Sequence, residues 1–153
     1  MRLAVNPARL LSFSARKAGT KRLELAFTVT KAFLCRIESS LCFARLRTDC
    51  QVIPAERHQG GIQGARSFMH TGHYPNAVCA FSGSDKLGEN YLFGLLLHEF
   101  GHLGAGTEQG ERAADQWIFE RTGIRIQYKT ELDIEWVDEW TLRRILQATR
   151  RKS

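Results

Sequence analysis

The segment from Glu89 to Leu103 constrains the fold more than any other part of the chain. Leu92, Leu95, Leu96, Glu99 and Leu103 fall all around a helix rather than along one face, and a helix that is apolar on nearly every side is a buried one. Other elements must cover it. The turn Ser82-Gly83-Ser84-Asp85 supplies capping side chains just upstream, and the glycines at 104 and 106 mark its end.

The flanking sequence predicts that cover. Asn76 to Phe81 (NAVCAF) reads as a short strand. A second helix is expected from about Thr107 to Thr122, stopped by Gly123, then a strand over Ile124 to Tyr128. Val137 to Arg151 reads as a final amphipathic helix with Val137, Trp140, Leu142, Ile145 and Leu146 turned inward and a basic end that suits the negative pole of the helix dipole. Upstream the pattern is less decisive. Leu34, Ile37 and Leu41 suggest a helix near 31–45, while Leu23, Leu25, Phe27 and Val29 alternate as a strand would. Gln59 to Gly64 reads as a loop.

No internal repeat or long Pro/Gly/Ser linker divides the 153 residues, so a single domain is expected, and 43% hydrophobic with 25% charged residues excludes collagen-like, low-complexity and wholly disordered chains. The longest apolar stretch, Tyr91 to Leu97, is far too short for a transmembrane helix. The basic N-terminus is not followed by an apolar signal region. Cys35, Cys42, Cys50 and Cys79 form no C-x-x-C pair, so free thiols in a reducing cytoplasm are expected.

Charge is unevenly placed. Residues 1–84 carry 12 Lys and Arg against 4 Asp and Glu, whereas 85–142 carry 5 against 12. The expected organisation is a basic N-terminal region over 1–50, helical or mixed, serving as an arm or pro-segment, followed by a core over 51–153. A basic arm admits nucleic-acid association, although arginines on a solvated helix are the simpler account.

Within the acidic part lies Leu97-His98-Glu99-Phe100-Gly101-His102, an H-E-x-x-H sequence. Histidines four apart on a helix share a face one turn apart, so both rings reach one metal ion. Glu99 then lies beside that ion, placed to exchange a proton with a bound water. Gly101 gives a substrate or a neighbouring helix close approach. A third protein ligand is needed, and Glu108, Glu111 and Asp115 project at i, i+3 and i+7 from the second helix. Glu111 is favoured, with Asp115 one turn on placed to hold a ligand histidine by its other ring nitrogen; Glu108 and Asp115 are the alternative ligands.

The pair HEFGH and GERAADQWI resembles the active-site core of the gluzincin metallopeptidases and is similar in particular to the ImmA/IrrE-type proteases of bacteria and their mobile elements. The likeness extends from Asn76 to Phe119. It implies an α+β, zincin-like domain in which a small mixed β-sheet packs on the HExxH helix and a ligand helix follows. It further implies Zn2+ on His98, His102 and Glu111, Glu99 as general base, and NAVCAF as the edge strand above the cleft. His70, His73 and Tyr74 are candidates for reaching that cleft. The expected function is a cytoplasmic zinc metalloendopeptidase acting on a protein or peptide substrate. The competing reading is a metal-stabilised, non-catalytic regulatory module of phage or mobile-element type that docks on nucleic acid through its basic region.

Overall fold

A computed structural model of the chain describes residues 21–48, 69–72, 74–80, 84, 87–129 and 134–152. Helix α1, Lys21–Cys35, buries Leu23, Ala26, Phe27, Thr30 and Leu34, spaced i, i+3, i+4, i+7 and i+11. That 3.6-residue period prevails over the two-residue alternation in the same stretch, so the strand alternative at 23–29 is corrected to helix. The buried Thr30 hydroxyl donates to the Ala26 carbonyl at 2.8 Å, which satisfies it inside the helix.

The helix expected over 31–45 does not continue past Cys35. A turn leads into a short 3-10 helix, Ser39–Phe43, and then strand β1, Arg45–Arg47. The reversal brings the Cα atoms of Cys35 and Cys42 to 4.8 Å, and the two residues form a disulfide. The expectation of free thiols is thereby corrected at these positions, because the sequence separation hides a distance that a disulfide spans easily. Cys79 is buried outside the disulfide, and Cys50 lies outside the described residues.

Strand β2, Met69–His70, and strand β3, Ala77–Ala80, complete a three-stranded sheet of order β1-β3-β2. Strand β3 is parallel to β1, Arg45 opposite Ala77, and antiparallel to β2, Met69 opposite Ala80. The sheet is mixed, as expected, but Ala77–Ala80, the part of NAVCAF that forms β3, is its central strand rather than an edge among the described residues. Its four residues are buried, which the continuous apolar run permits and the one-sided exposure of an edge does not require.

Helix α2, Glu89–Ala105, carries the H-E-x-x-H sequence and buries every residue from Leu92 to His102. Its N-cap is Gly88, with no side-chain cap bond; of the Ser82–Asp85 turn only Ser84 lies among the described residues, its carbonyl accepting from the Leu87 amide at 3.0 Å. Helix α3, Glu111–Thr122, begins four residues later than the sequence pattern suggested. Gly106 and Gly110 adopt φ of 111° and 96°, and the Gln109 amide donates to the Gly106 carbonyl at 3.0 Å, making 107–110 a turn. Gly123, in the left-handed region at φ 77°, closes α3 through its amide to the Phe119 carbonyl.

An antiparallel hairpin of β4, Gln127–Lys129, and β5, Ile134–Trp136, follows, then helix α4, Glu139–Lys152. Val137, Leu142, Ile145 and Leu146 are buried as expected, but Trp140 is 66% exposed and lies against the Arg144 guanidinium. The protein is thus α+β. Residues from α1, β3, α2, α3 and α4 share one apolar core, and Phe27 of α1 meets Phe100 of α2 with ring centroids 5.3 Å apart. Residue 50 therefore does not separate two packing units: α1 and β1 belong to the same body as the motif helix. No helix among the described residues is long and apolar enough to cross a membrane.

Candidate metal centre

Two glycines of α2 determine what lies beside its histidines. At Gly101 a Cβ would stand 2.3 Å from the Ala114 carbonyl oxygen, so α3 crosses α2 in direct backbone contact there. Gly101 follows His98 by three residues and precedes His102, so the crossing lies on their face. At Gly94, one turn before His98, a Cβ would meet the Trp136 Cα at 2.5 Å and the Glu135 carbonyl carbon at 2.9 Å. Strand β5 is thus pressed against the same helix. Asn90 fixes it further, its side-chain amide donating to the Val137 carbonyl at 2.8 Å while the Val137 amide donates to the Asn90 carbonyl at 3.1 Å.

The α3 crossing delivers two carboxylates. Glu111 and Asp115, one turn apart, both meet His98: Oε1 of Glu111 lies 2.7 Å from Nε2, and Oδ1 of Asp115 lies 2.7 Å from Nδ1. The other Glu111 oxygen is 3.4 Å from His102 Nε2. The imidazoles stand edge to face with centroids 4.7 Å apart, each turning Nε2 toward Glu111. Glu108, the alternative ligand, is not in this group. It occupies the turn before α3 and is exposed, because the glycine-rich connection removes it from the helical face it was expected to share.

The donor atoms of His98, His102 and Glu111 all lie within 4.8 Å of one another. Zinc holds such donors at about 2.0–2.2 Å, which places neighbouring donors about 3.3 Å apart; the separations of 2.7 and 3.4 Å bracket this value. His102 Nδ1 is buried without a hydrogen-bond partner among the described residues, so Nε2 is the nitrogen through which this ring engages its surroundings. Both histidine side chains are almost fully buried while Glu111 is 76% exposed. Solvent therefore approaches the cluster from the Glu111 side. A cleft of about 450 Å³ opens there, lined in part by Glu111, Asp115, Phe119, Arg125, Tyr128 and Glu135.

Electrostatics follow from this crowding of acids. Burial disfavours a positive His98, but its hydrogen bonds to Asp115 and Glu111 and the nearby charges of Glu99 and Glu135 outweigh that cost and raise its pKa to about 11. Hydrogen bonds to His102 and His98 hold the Glu111 carboxyl far below the usual carboxylate range. Glu99 is buried, and desolvation raises its pKa to about 8 despite the attraction of His98 and a hydrogen bond with the Thr71 side chain. Burial, ahead of the opposing pull of His98, also raises Glu135. The Tyr128 phenol donates to the second Asp115 oxygen, and burial followed by that bond pushes its pKa upward.

The geometry brings together His98, Glu99, His102, Glu111 and Asp115, all singled out from sequence. It adds three residues that sequence reasoning missed: Thr71 beside Glu99, Tyr128 on Asp115, and Glu135, whose carboxylate lies 3.7 Å from His98 Nε2. Tyr128 and Glu135 come from a hairpin with no local chemical signature, and only its docking at Gly94 reveals them. Of the other cleft candidates, Tyr74 lies under the Arg47 guanidinium at 3.9 Å, His70 pairs with β3 opposite Cys79, and His73 lies outside the described residues.

No protein-family model, curated protein sequence or solved structure matches this chain.

Proposed function

We propose that the protein is a zinc-dependent metallopeptidase acting on a protein or peptide substrate. The reading rests on one observation above all: two buried histidines and a solvent-facing glutamate converge within 4.8 Å beside a buried glutamate of raised pKa. His98, His102 and Glu111 would hold the ion, a His2Glu donor set of the kind that leaves a position open in catalytic zinc sites. When bound, zinc supplies a water acidified to near neutrality and polarises the scissile carbonyl.

The chain's own groups perform the remaining work. Glu99, out of bulk water, accepts a proton at its carboxylate and returns it to the leaving amine, and its raised pKa suits both halves of that exchange near neutral pH. Asp115 accepts the Nδ1 proton of His98 and so keeps Nε2 as the coordinating nitrogen; Tyr128 donates to Asp115 and fixes its orientation. Among the described residues β2 is the outer antiparallel strand of the sheet, and Thr71, next after it, bonds to Glu99. An extended substrate segment adding along β2 would lie beside the general base.

The alternative of a nucleic-acid-docking regulator draws on the basic N-terminal half. Part of that charge is used internally: Arg22 is buried and donates to the Leu87 carbonyl, and Lys31 donates to the Ala44 carbonyl at 3.3 Å. Glu99→Gln separates the two readings. Metal content is retained under both, and peptide hydrolysis by wild type that disappears in the variant supports the peptidase. A biological effect undiminished in Glu99→Gln overturns it.

A further inference from the structure

Glu135 has no part in the donor set described above, yet its carboxylate is aimed at that set. Its Oε1 is 3.7 Å from His98 Nε2, the same nitrogen that Glu111 meets at 2.7 Å. The other ring nitrogen belongs to Asp115. Two carboxylates from different elements thus converge on the one His98 nitrogen that is available to a cation. We propose that Glu135 is a fourth protein ligand, so that His98, His102, Glu111 and Glu135 enclose the metal from α2, α3 and β5. The proposal rests on the metal-binding reading and extends it.

Three features carry it. The Glu135 side chain is only 13% exposed, and a carboxylate withdrawn from water is stabilised by a cation held next to it. Its backbone is fixed, because β5 contacts α2 at Gly94 and Val137, next after β5, exchanges two hydrogen bonds with Asn90. Gly94 and His98 are one helical turn apart on a common face, so the residue preceding Trp136 is directed toward His98. Finally, 3.7 Å is close to the separation of about 3.3 Å between neighbouring donors on tetrahedral zinc. The tight three-residue cluster does not include Glu135, so ligation by Glu135 would require its side chain to turn further toward the ion.

A fourth protein donor has a functional consequence. Structural zinc sites are closed by four protein ligands, whereas catalytic sites keep a position for water. For the peptidase reading to hold as well, Glu135 would have to leave the ion, opening a position on the cleft that it lines.

Zinc affinity measured by competition with a chromophoric chelator, together with the visible spectrum of the Co2+-loaded protein, tests this without recourse to activity. Wild type is compared with Glu135→Gln, Glu135→Asp and His98→Ala, with circular dichroism confirming folded protein. The expected result is at least a tenfold loss of zinc affinity in Glu135→Gln, a smaller loss in Glu135→Asp, and an altered Co2+ spectrum in both. Affinities within twofold of wild type and an unchanged spectrum overturn the fourth ligand while leaving the three-residue centre intact, provided His98→Ala abolishes binding. Failure of wild type itself to take up stoichiometric zinc or cobalt overturns the metal reading, and this proposal with it.

Discussion

Replacing Gly101 by alanine adds one methyl group at the closest point between the two helices that build the centre. The new Cβ would stand 2.3 Å from the Ala114 carbonyl oxygen and 2.9 Å from its carbon. Both are backbone atoms, so no rotamer change relieves the clash, and the helices must part by about 1 Å to restore ordinary van der Waals separation. Overpacking of this kind costs about 1–3 kcal/mol, and the upper end applies because a whole helix must move. Alanine's better helix propensity returns about 1 kcal/mol. The net loss is about 2 kcal/mol, equivalent to a fall in Tm of about 4–8 °C for a chain of this size. The displacement also reaches the metal centre. Ala114 lies between Glu111 and Asp115, and their 2.7 Å contacts with His98 would lengthen beyond useful hydrogen-bond distance, about 3.5 Å. Thermal unfolding of the Gly101→Ala protein, with and without zinc, measures the first effect, and chelator competition the second. A variant as stable as wild type that binds zinc equally well refutes the close helix crossing on which the site geometry depends.

Further outcomes follow from the same geometry. Glu111→Ala should bind zinc far more weakly than wild type while Glu108→Ala should not, as elemental analysis of the two purified variants will show; the reverse pattern assigns the third ligand to the turn. Asp115→Asn and Tyr128→Phe keep every proposed ligand but release the hold on His98 Nδ1, so zinc affinity should fall by about 10- to 100-fold for the first and less for the second; equal affinity in wild type and both variants contradicts the orienting role. Chelator-treated protein should lose stability as pH rises from 6.5 to 8. Folding raises Glu99 from 4.5 to about 8 and His98 from 6.5 to about 11, so both groups hold more protons folded than unfolded across that window, and stability declines with rising pH. Glu111, whose pKa is lowered, acts only below its ordinary value of 4.5 and does not offset this. Urea midpoints that increase between these pH values would contradict the charge arrangement around His98.

Much of the site is legible in the sequence. The H-E-x-x-H spacing places His98 and His102 on one helical face whatever surrounds them, and the apolar residues around that helix require its burial. The stop at Gly123 and a close approach at Gly101, by a substrate or a neighbouring helix, were also readable, while the mixed sheet was implied by the family resemblance alone. Where the pattern misled, a competing local preference prevailed. Leu23 to Val29 alternates like a strand, but the burial extends through Leu23, Ala26, Phe27, Thr30 and Leu34 at a 3.6-residue period. The acid series Glu108, Glu111 and Asp115 looked continuous, but Gly106 and Gly110 at positive φ delay the helix until Glu111 and leave Glu108 outside. Trp140, apolar yet exposed, shows that periodicity assigns a face and not a neighbour.

Local periodicity and side-chain chemistry therefore determined the identity of the central helix, its two histidines and its buried glutamate, because these depend only on spacing along one element. Which partners those side chains meet was a tertiary decision. The contact of α3 at Gly101 selected Glu111 and Asp115, the contact of β5 at Gly94 brought Glu135 to His98, and the chain reversal after α1 joined Cys35 to Cys42. Each depends on how closely two backbones approach across the fold, a distance that arises only when the elements pack.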